Sequence, residues 1–245
     1  MSATALSRSH PPTRLRIKHA ALPPIPIVPP LANGDELDAD EFLRRYSAMP
    51  DIKKAELIDG VVYFMASPVR VHEHGDPDSL MQTWVGYYSV STPGIRASTN
   101  ATARLGAKRV PQPDASLRYL PERGGKTKVG KDGYLVGAPE LVFEISASSV
   151  SIDVNKKLHD YLKAGVQEYV AWLTEESVLK WWFLKNGEYH LLPADKDGIF
   201  HSRVFPGLWL DSKALLKGDG KRVMAVLRRG LKSKEHAAFA KRVSK

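Results

Sequence analysis

Apolar positions recur along this chain with two periods, and the switches between them mark out the elements. Phe42, Leu43 and Tyr46 follow an acidic opening at helical spacing, so 38–46 reads as a short helix ended by Pro50. Residues 55–65 place two β-prone runs about Asp59-Gly60, a strong hairpin signal. Met81, Trp84, Val85 and Tyr88 make one face of a helix over 80–88. Segments 95–105 and 112–119 read as strands, and the Gly/Lys-rich stretch 122–133 has the composition of a mobile loop. The apolar run 141–146 predicts a buried strand, and 152–164 a helix stopped by Gly165. Residues 168–173, 178–184, 189–192 and 202–205 supply further strands, with Asn186-Gly187 as a turn between two of them. Hairpin, helix, strands, helix, strands predicts an α/β or α+β sheet domain without internal repeats.

The ends differ from the middle. Pro11, Pro12, Pro23, Pro24, Pro26, Pro29 and Pro30 lie in residues 1–33 with no apolar period, which predicts a disordered or extended arm. The net charge is +9, yet residues 51–211 hold 19 basic and 20 acidic side chains, while 212–245 hold eleven basic and two acidic ones. The organisation read from this is an arm (1–33), a neutral domain (34–211) and a basic tail (212–245) with helices over 221–230 and 233–243. The tail suits contact with phosphates. It also suits a solvated amphipathic helix with Val223, Val226 and Leu227 facing inward. With no Cys, thiolate chemistry, disulfides and Cys-ligated metal centres are excluded. No apolar run approaches the ~20 residues of a membrane span, and no secretory core opens the chain, so a soluble cytoplasmic protein is expected.

The most informative residue is Glu144. Strand residues two apart share a face, so Glu144 and Ser146 point together while Leu141, Phe143 and Ile145 point the other way. A carboxylate in such a run must be paired, bind a cation or stay protonated. Asp114, after Pro111-Gln112-Pro113 and before Ala115-Ser116-Leu117, raises the same question. Two carboxylates on neighbouring strands make a hard oxygen site suited to Mg²⁺ or Mn²⁺. A Glu at a sheet edge and an Asp in a turn after proline satisfy the pattern too. At about 100° per residue, Leu158, Tyr161 and Leu162 centre the apolar face of helix 152–164; Lys157 lies about 85° away and Lys156 nearly opposite. Lys157 therefore flanks the core, in one stripe with Asp153 and Tyr161, while Lys156 faces solvent. Alone, Lys157 would be a surface partner of Asp153; beside Glu144 and Asp114 it can orient a water or stabilise phosphoryl charge.

Pro113-Asp114, Glu144-Ile145-Ser146, Asp153, Lys157 and Tyr161, and Gly165-Val166-Gln167-Glu168-Tyr169 together closely resemble the Uma-type restriction endonuclease family of the PD-(D/E)XK nuclease superfamily. Glu56-Leu57-Ile58-Asp59-Gly60, Ser67-Pro68 and Gly137-Ala138-Pro139-Glu140-Leu141 extend the likeness over roughly 38–211. The resemblance implies a restriction-endonuclease-like mixed β-sheet flanked by helices. It implies Asp114 and Glu144 as metal ligands, with the backbone carbonyl of Ile145 as a further one. The superfamily's usual lysine would stand at 146, where this chain has Ser; the family's lysine has moved to the helix, and Lys157 is the matching position. Glu56 matches an extra acidic residue that supports the metal or the lysine, although a plain hairpin charge fits it as well.

Other residues carry weaker signals. His72 and His74 lie two apart among carboxylates, a spacing that fits no closed zinc pattern; a loop or helix-start role suits them, with His74 lining the cleft alongside Ser146, Asp153 and Tyr161. Trp172, Trp181 and Trp182 read as strand core before base-stacking platforms. Residues 123–128 lack the spacing of a phosphate loop. The expectation is a Mg²⁺- or Mn²⁺-dependent DNA endonuclease, with RNA as an open alternative substrate and a homodimer as a fold-level expectation. Two other classes remain: a catalytically silent nuclease-like module that binds nucleic acid or protein, and a small-substrate phosphoesterase, which calls for a closed pocket.

Overall fold

The computed structural model describes residues 28–65, 70–147 and 152–244, with the backbone alone at 152 and 153. The proline-rich arm up to residue 27, Ser67-Pro68 and the Asp153 side chain therefore lie outside the described residues.

Asp38 caps helix α1 (Ala39–Ser47), accepting the Glu41 amide at 2.9 Å. Strands β1 (Ala55–Ile58) and β2 (Val61–Phe64) form the expected hairpin. Its two turn residues, Asp59 and Gly60, have φ of 49° and 82°, which a two-residue loop of this kind demands. A π-helical turn, Val71–Gly75, runs into α2 (Asp76–Ser91). Then come β3 (Ile95–Thr99), β4 (Ala103–Arg104), β5 (Ala115–Tyr119), a 3₁₀ turn (Pro121–Arg123), β6 (Lys128–Val129), β7 (Leu135–Val136) and β8 (Leu141–Ser146). A second π-helical turn, Ile152–Lys157, continues as α3 (Leu158–Ala164), which Gly165 ends at φ 80°. The rest is β9 (Glu168–Leu173), β10 (Val178–Lys185), β11 (Glu188–Leu191), β12 (Ile199–His201), β13 (Trp209–Asp211), α4 (Ser212–Leu216), α5 (Gly220–Leu231) and α6 (Lys234–Val243).

Six strands build one mixed sheet in the order β11-β10-β9-β8-β5-β3. Its parallel pair is β8–β9, joined through α3 as a parallel connection requires; the other neighbours run antiparallel. Period two then sorts the side chains of β8. Phe143 and Ile145 join the large core under α2 and α5, where Trp84 meets Phe143 edge-on at 5.4 Å and its indole nitrogen donates to the Trp209 carbonyl. Val142 packs on the other face with Tyr161 and Tyr169. Glu144 and Ser146 share that second face and so look toward α3. A third cluster, with Phe42, Leu57, Val62 and Val110, fastens α1 and the hairpin to the domain.

Trp172, Trp181 and Trp182 are all buried, as core side chains. The inward-facing pattern expected for the tail also holds, with Val223 and Leu227 in the main core and Val226 buried. No helix among the described residues is long and apolar enough to cross a membrane.

Two expectations fail. Residues 202–205 are not a strand: Phe205 donates its amide to Ser202 Oγ, and Arg203 and Ser202 donate to Glu168. Their polar groups are spent on a turn over a buried carboxylate, and β12 and β13 pair on either side of it. The stretch 122–133 is not wholly loop either, because β6 joins β4 and β7 in a small sheet.

Burial outweighs the hydrogen bonds from Ser202 and Arg203 and pushes the Glu168 carboxyl up from 4.5 to about 7. Between these values the folded chain keeps a proton that the unfolded chain has lost. Glu168 thus adds stability that is full below the lower value and falls as pH rises through the upper one, by at most about 1.4 kcal/mol per pH unit. Glu168→Gln should flatten that slope, whatever its overall offset, in thermal melts recorded across the window.

Candidate active site

Three segments far apart in the chain bring their charged groups together. Glu144 comes from the buried run of β8, Glu56 from β1 and Lys157 from the junction of the second π-helical turn with α3. All three are nearly inaccessible, at 3%, 0% and 3% exposure. Lys157 Nζ lies 2.8 Å from Glu56 Oε2 and 3.1 Å from Glu144 Oε1. The contact to Glu56 is an ion pair rather than an aligned hydrogen bond. Tyr161, one helical turn on, donates its hydroxyl to Glu144 Oε1 at 2.5 Å. Burial first, then the charges of Glu144 and Glu56, push the Tyr161 phenol well above 10, so it stays a donor.

The stripe expected from i, i+4 spacing thus holds between Lys157 and Tyr161, within the first turn of α3. Lys156, by contrast, is exposed and donates to the Tyr63 hydroxyl at 2.5 Å.

Asp114 immediately precedes β5 and is 3% exposed. Its Oδ2 accepts the amide of Ile145 at 2.8 Å, which sets the aspartate against the residue that follows Glu144. Lys54 Nζ lies 3.0 Å from Asp114 Oδ1. His74 Nε2 lies 3.7 Å from Oδ2, an ion pair when the imidazole is protonated. Burial raises the Asp114 carboxyl, but Lys54, Lys157, the Ile145 amide and His74 together outweigh it and hold the group below its ordinary range. Ser146, which shares the face of Glu144, is fully buried.

Backbone and side-chain ties fix these groups. The Gln112 amide donates to Glu56 Oε1 at 2.7 Å. Asp160 on α3 accepts the Asp59 amide at 2.8 Å and pairs with Arg109 Nε at 2.9 Å, locking the hairpin turn to the helix that carries Lys157. Thr174 Oγ1 donates to the Glu73 carbonyl at 2.6 Å, holding the turn that presents His74.

Two residues at this site escape sequence pattern. Lys54 sits in a polar approach to the hairpin, where nothing distinguishes it from Lys53. Asp78 lies in the first turn of α2, where an acidic residue is ordinary; burial raises its carboxyl, with the charge of Asp114 adding to the effect. His72 is exposed and paired with Asp76 at 3.3 Å. Among the described residues no three His, Cys, Asp or Glu side chains gather as a ready metal cage, so the zinc reading of the two histidines finds no support.

Removing Lys157 leaves two buried carboxylates facing each other. Lys157→Met should destabilise the fold by about 3–5 kcal/mol. Glu56→Gln in that background should recover part of the loss, both read from denaturant melts.

A search of curated proteins finds no match for the chain. A solved structure described as a putative nuclease belonging to DUF820, from Anabaena variabilis, is similar in fold, with a TM-score of 0.52 and 17% identity over 72% of this chain and 97% of that one. The family described as "Uma2: Putative restriction endonuclease" matches residues 39–213. That span contains every residue of the buried Glu56–Lys157–Glu144 network and Asp114, and the chain belongs to this family.

Proposed function

We propose that this protein is a Mg²⁺- or Mn²⁺-dependent endonuclease that hydrolyses phosphodiester bonds of DNA. The observation that carries the reading is a buried lysine held between two carboxylates beside a third, ionised carboxylate, in a chain of this family. Mg²⁺ is typically held by one or two carboxylates, with waters and substrate phosphate oxygens completing its shell. Asp114 and Glu144, with the carbonyl of Ile145, fit that demand and would hold the ion.

The ion, when bound, supplies Lewis acidity and an activated water. Lys157 stabilises the charge that grows on the phosphoryl oxygens as the water oxygen forms a new P–O bond and the bridging one breaks. Glu56 positions Lys157. Tyr161 orients Glu144, and Lys54 and His74 keep Asp114 ionised. Burial means that these groups are aligned before the substrate arrives, which favours the transition state over the ground state.

One observation favours a second reading. Lys54 Nζ stands against Asp114 where a cation would approach it, as in a nuclease-like binding module that has no turnover. Nicking of supercoiled DNA, with Mg²⁺, Mn²⁺ or EDTA, separates the two. Wild type should nick only with a divalent ion; Asp114→Ala and Glu144→Ala should abolish nicking, and Lys157→Ala should slow it by on the order of 10²–10³-fold. Silence with every ion, together with no Mn²⁺ binding by calorimetry, leaves the binding module.

A further inference from the structure

Next to the buried network lies a second feature that the catalytic reading does not use. Glu56 pairs across the hairpin with Tyr63, and directly opposed residues of an antiparallel pair share a face. Lys156 directly precedes Lys157. The two elements that supply Glu56 and Lys157 to the catalytic network therefore also bring Tyr63 and Lys156 together at its rim.

A cavity of about 360 Å³ opens there, with Val61 and the Tyr63 ring as apolar wall and Asn155, Lys156 and His159 as polar, exposed rim. The size lies in the range of small-ligand sites, and so does an apolar lining with a few placed polar groups. Lys156 Nζ sits 4.8 Å from the centre of the Tyr63 ring as well as on its hydroxyl. Asp59, the acidic residue of the lining, shares Arg109 with Asp160, at 3.5 Å and 2.9 Å, so the anion-binding group of the rim is the exposed ammonium of Lys156.

We infer that this cavity is a nucleotide subsite for an unpaired residue of the substrate strand, with its base against Tyr63 and its phosphate on Lys156 and His159. The inference rests on the nuclease reading and adds to it how the strand is gripped beside the scissile bond. A flat aromatic wall takes any base face, so the grip tolerates sequence. The Lys156 ammonium and a ring nitrogen of His159 recognise the backbone, and Asn155 on the same rim offers an amide to a base edge. Lys156 is long and exposed, and its ammonium exchanges the phenol for a phosphate oxygen while Lys157 stays buried between Glu56 and Glu144.

The test is fluorescence anisotropy with short fluorescein-labelled single-stranded DNA and, in parallel, RNA, in EDTA so that neither is cut. Tyr63→Ala should weaken binding roughly tenfold, while Tyr63→Phe, which keeps the ring, should stay within about twofold of wild type. Lys156→Ala, at an exposed position where folding is not at stake, should weaken binding and lower the salt slope by about 0.7. This pattern with either nucleic acid supports the subsite. Wild-type binding that Tyr63→Ala leaves unchanged, or equal losses in Tyr63→Ala and Tyr63→Phe, overturns it and leaves the nuclease reading standing. Failure of wild type to bind DNA and RNA alike, both in EDTA and with Ca²⁺ in its place, overturns both.

Discussion

The ammonium of Lys157, shut between Glu56 and Glu144, is the interaction on which the arrangement of this molecule turns. Each of the three groups alone would be costly to bury, and together each makes the others tolerable. Because they come from the hairpin, the central strand β8 and the start of α3, their pairing also fixes how those elements meet. A hydrophobic trio in the same place could be as stable. The charges here are kept with their hydrogen bonding completed, by the Tyr161 hydroxyl on Glu144 and the Gln112 amide on Glu56.

The surrounding fold serves to hold that geometry. The pairing of β5 with β8 brings Asp114 against the amide of Ile145, so the aspartate is set by sheet register and not by a flexible side chain. Asp160 ties the Asp59 amide and Arg109 to α3, which prevents the hairpin and its Glu56 from drifting away from Lys157. The large core beneath α2 and α5, rich in Trp and Phe, supplies the rigidity against which these few polar contacts are made.

Much of this was legible because the pattern was broken at informative places. A single Glu inside a short apolar run closed by Ser146, followed by a helix whose apolar face leaves Lys157 at its flank, pointed to one pocket. The π-helical winding that ends at Lys157 did not spoil the argument, since Lys157 has an α-helical backbone and caps α3, which carries Tyr161 one turn on. What stayed hidden depends on contacts that leave no local trace. Lys54 finds Asp114 sixty residues away, and its neighbourhood is merely polar. The 202–205 segment has a strand's composition, yet a carboxylate on β9 draws its amides into a turn. Glu56 was indicated by family likeness, but its buried partner emerges only once the hairpin is placed against α3.

The charge of the proposed site explains why an ion and a substrate should enter together. Counted as ionised, Glu56, Asp114 and Glu144 against Lys54 and Lys157 leave one net negative charge among largely buried groups, and Asp78 beside them can only add to it. A phosphodiester brings another, and at low effective dielectric that approach is strongly opposed. A divalent cation cancels or outweighs that charge, so that the phosphate no longer meets a net negative site. On this argument cation and phosphate bind with positive coupling, each raising the affinity for the other by the same factor. Lys54 plays a part even before either arrives: it holds Asp114 ionised and in place, so that the carboxylate need not be ordered at the moment of binding.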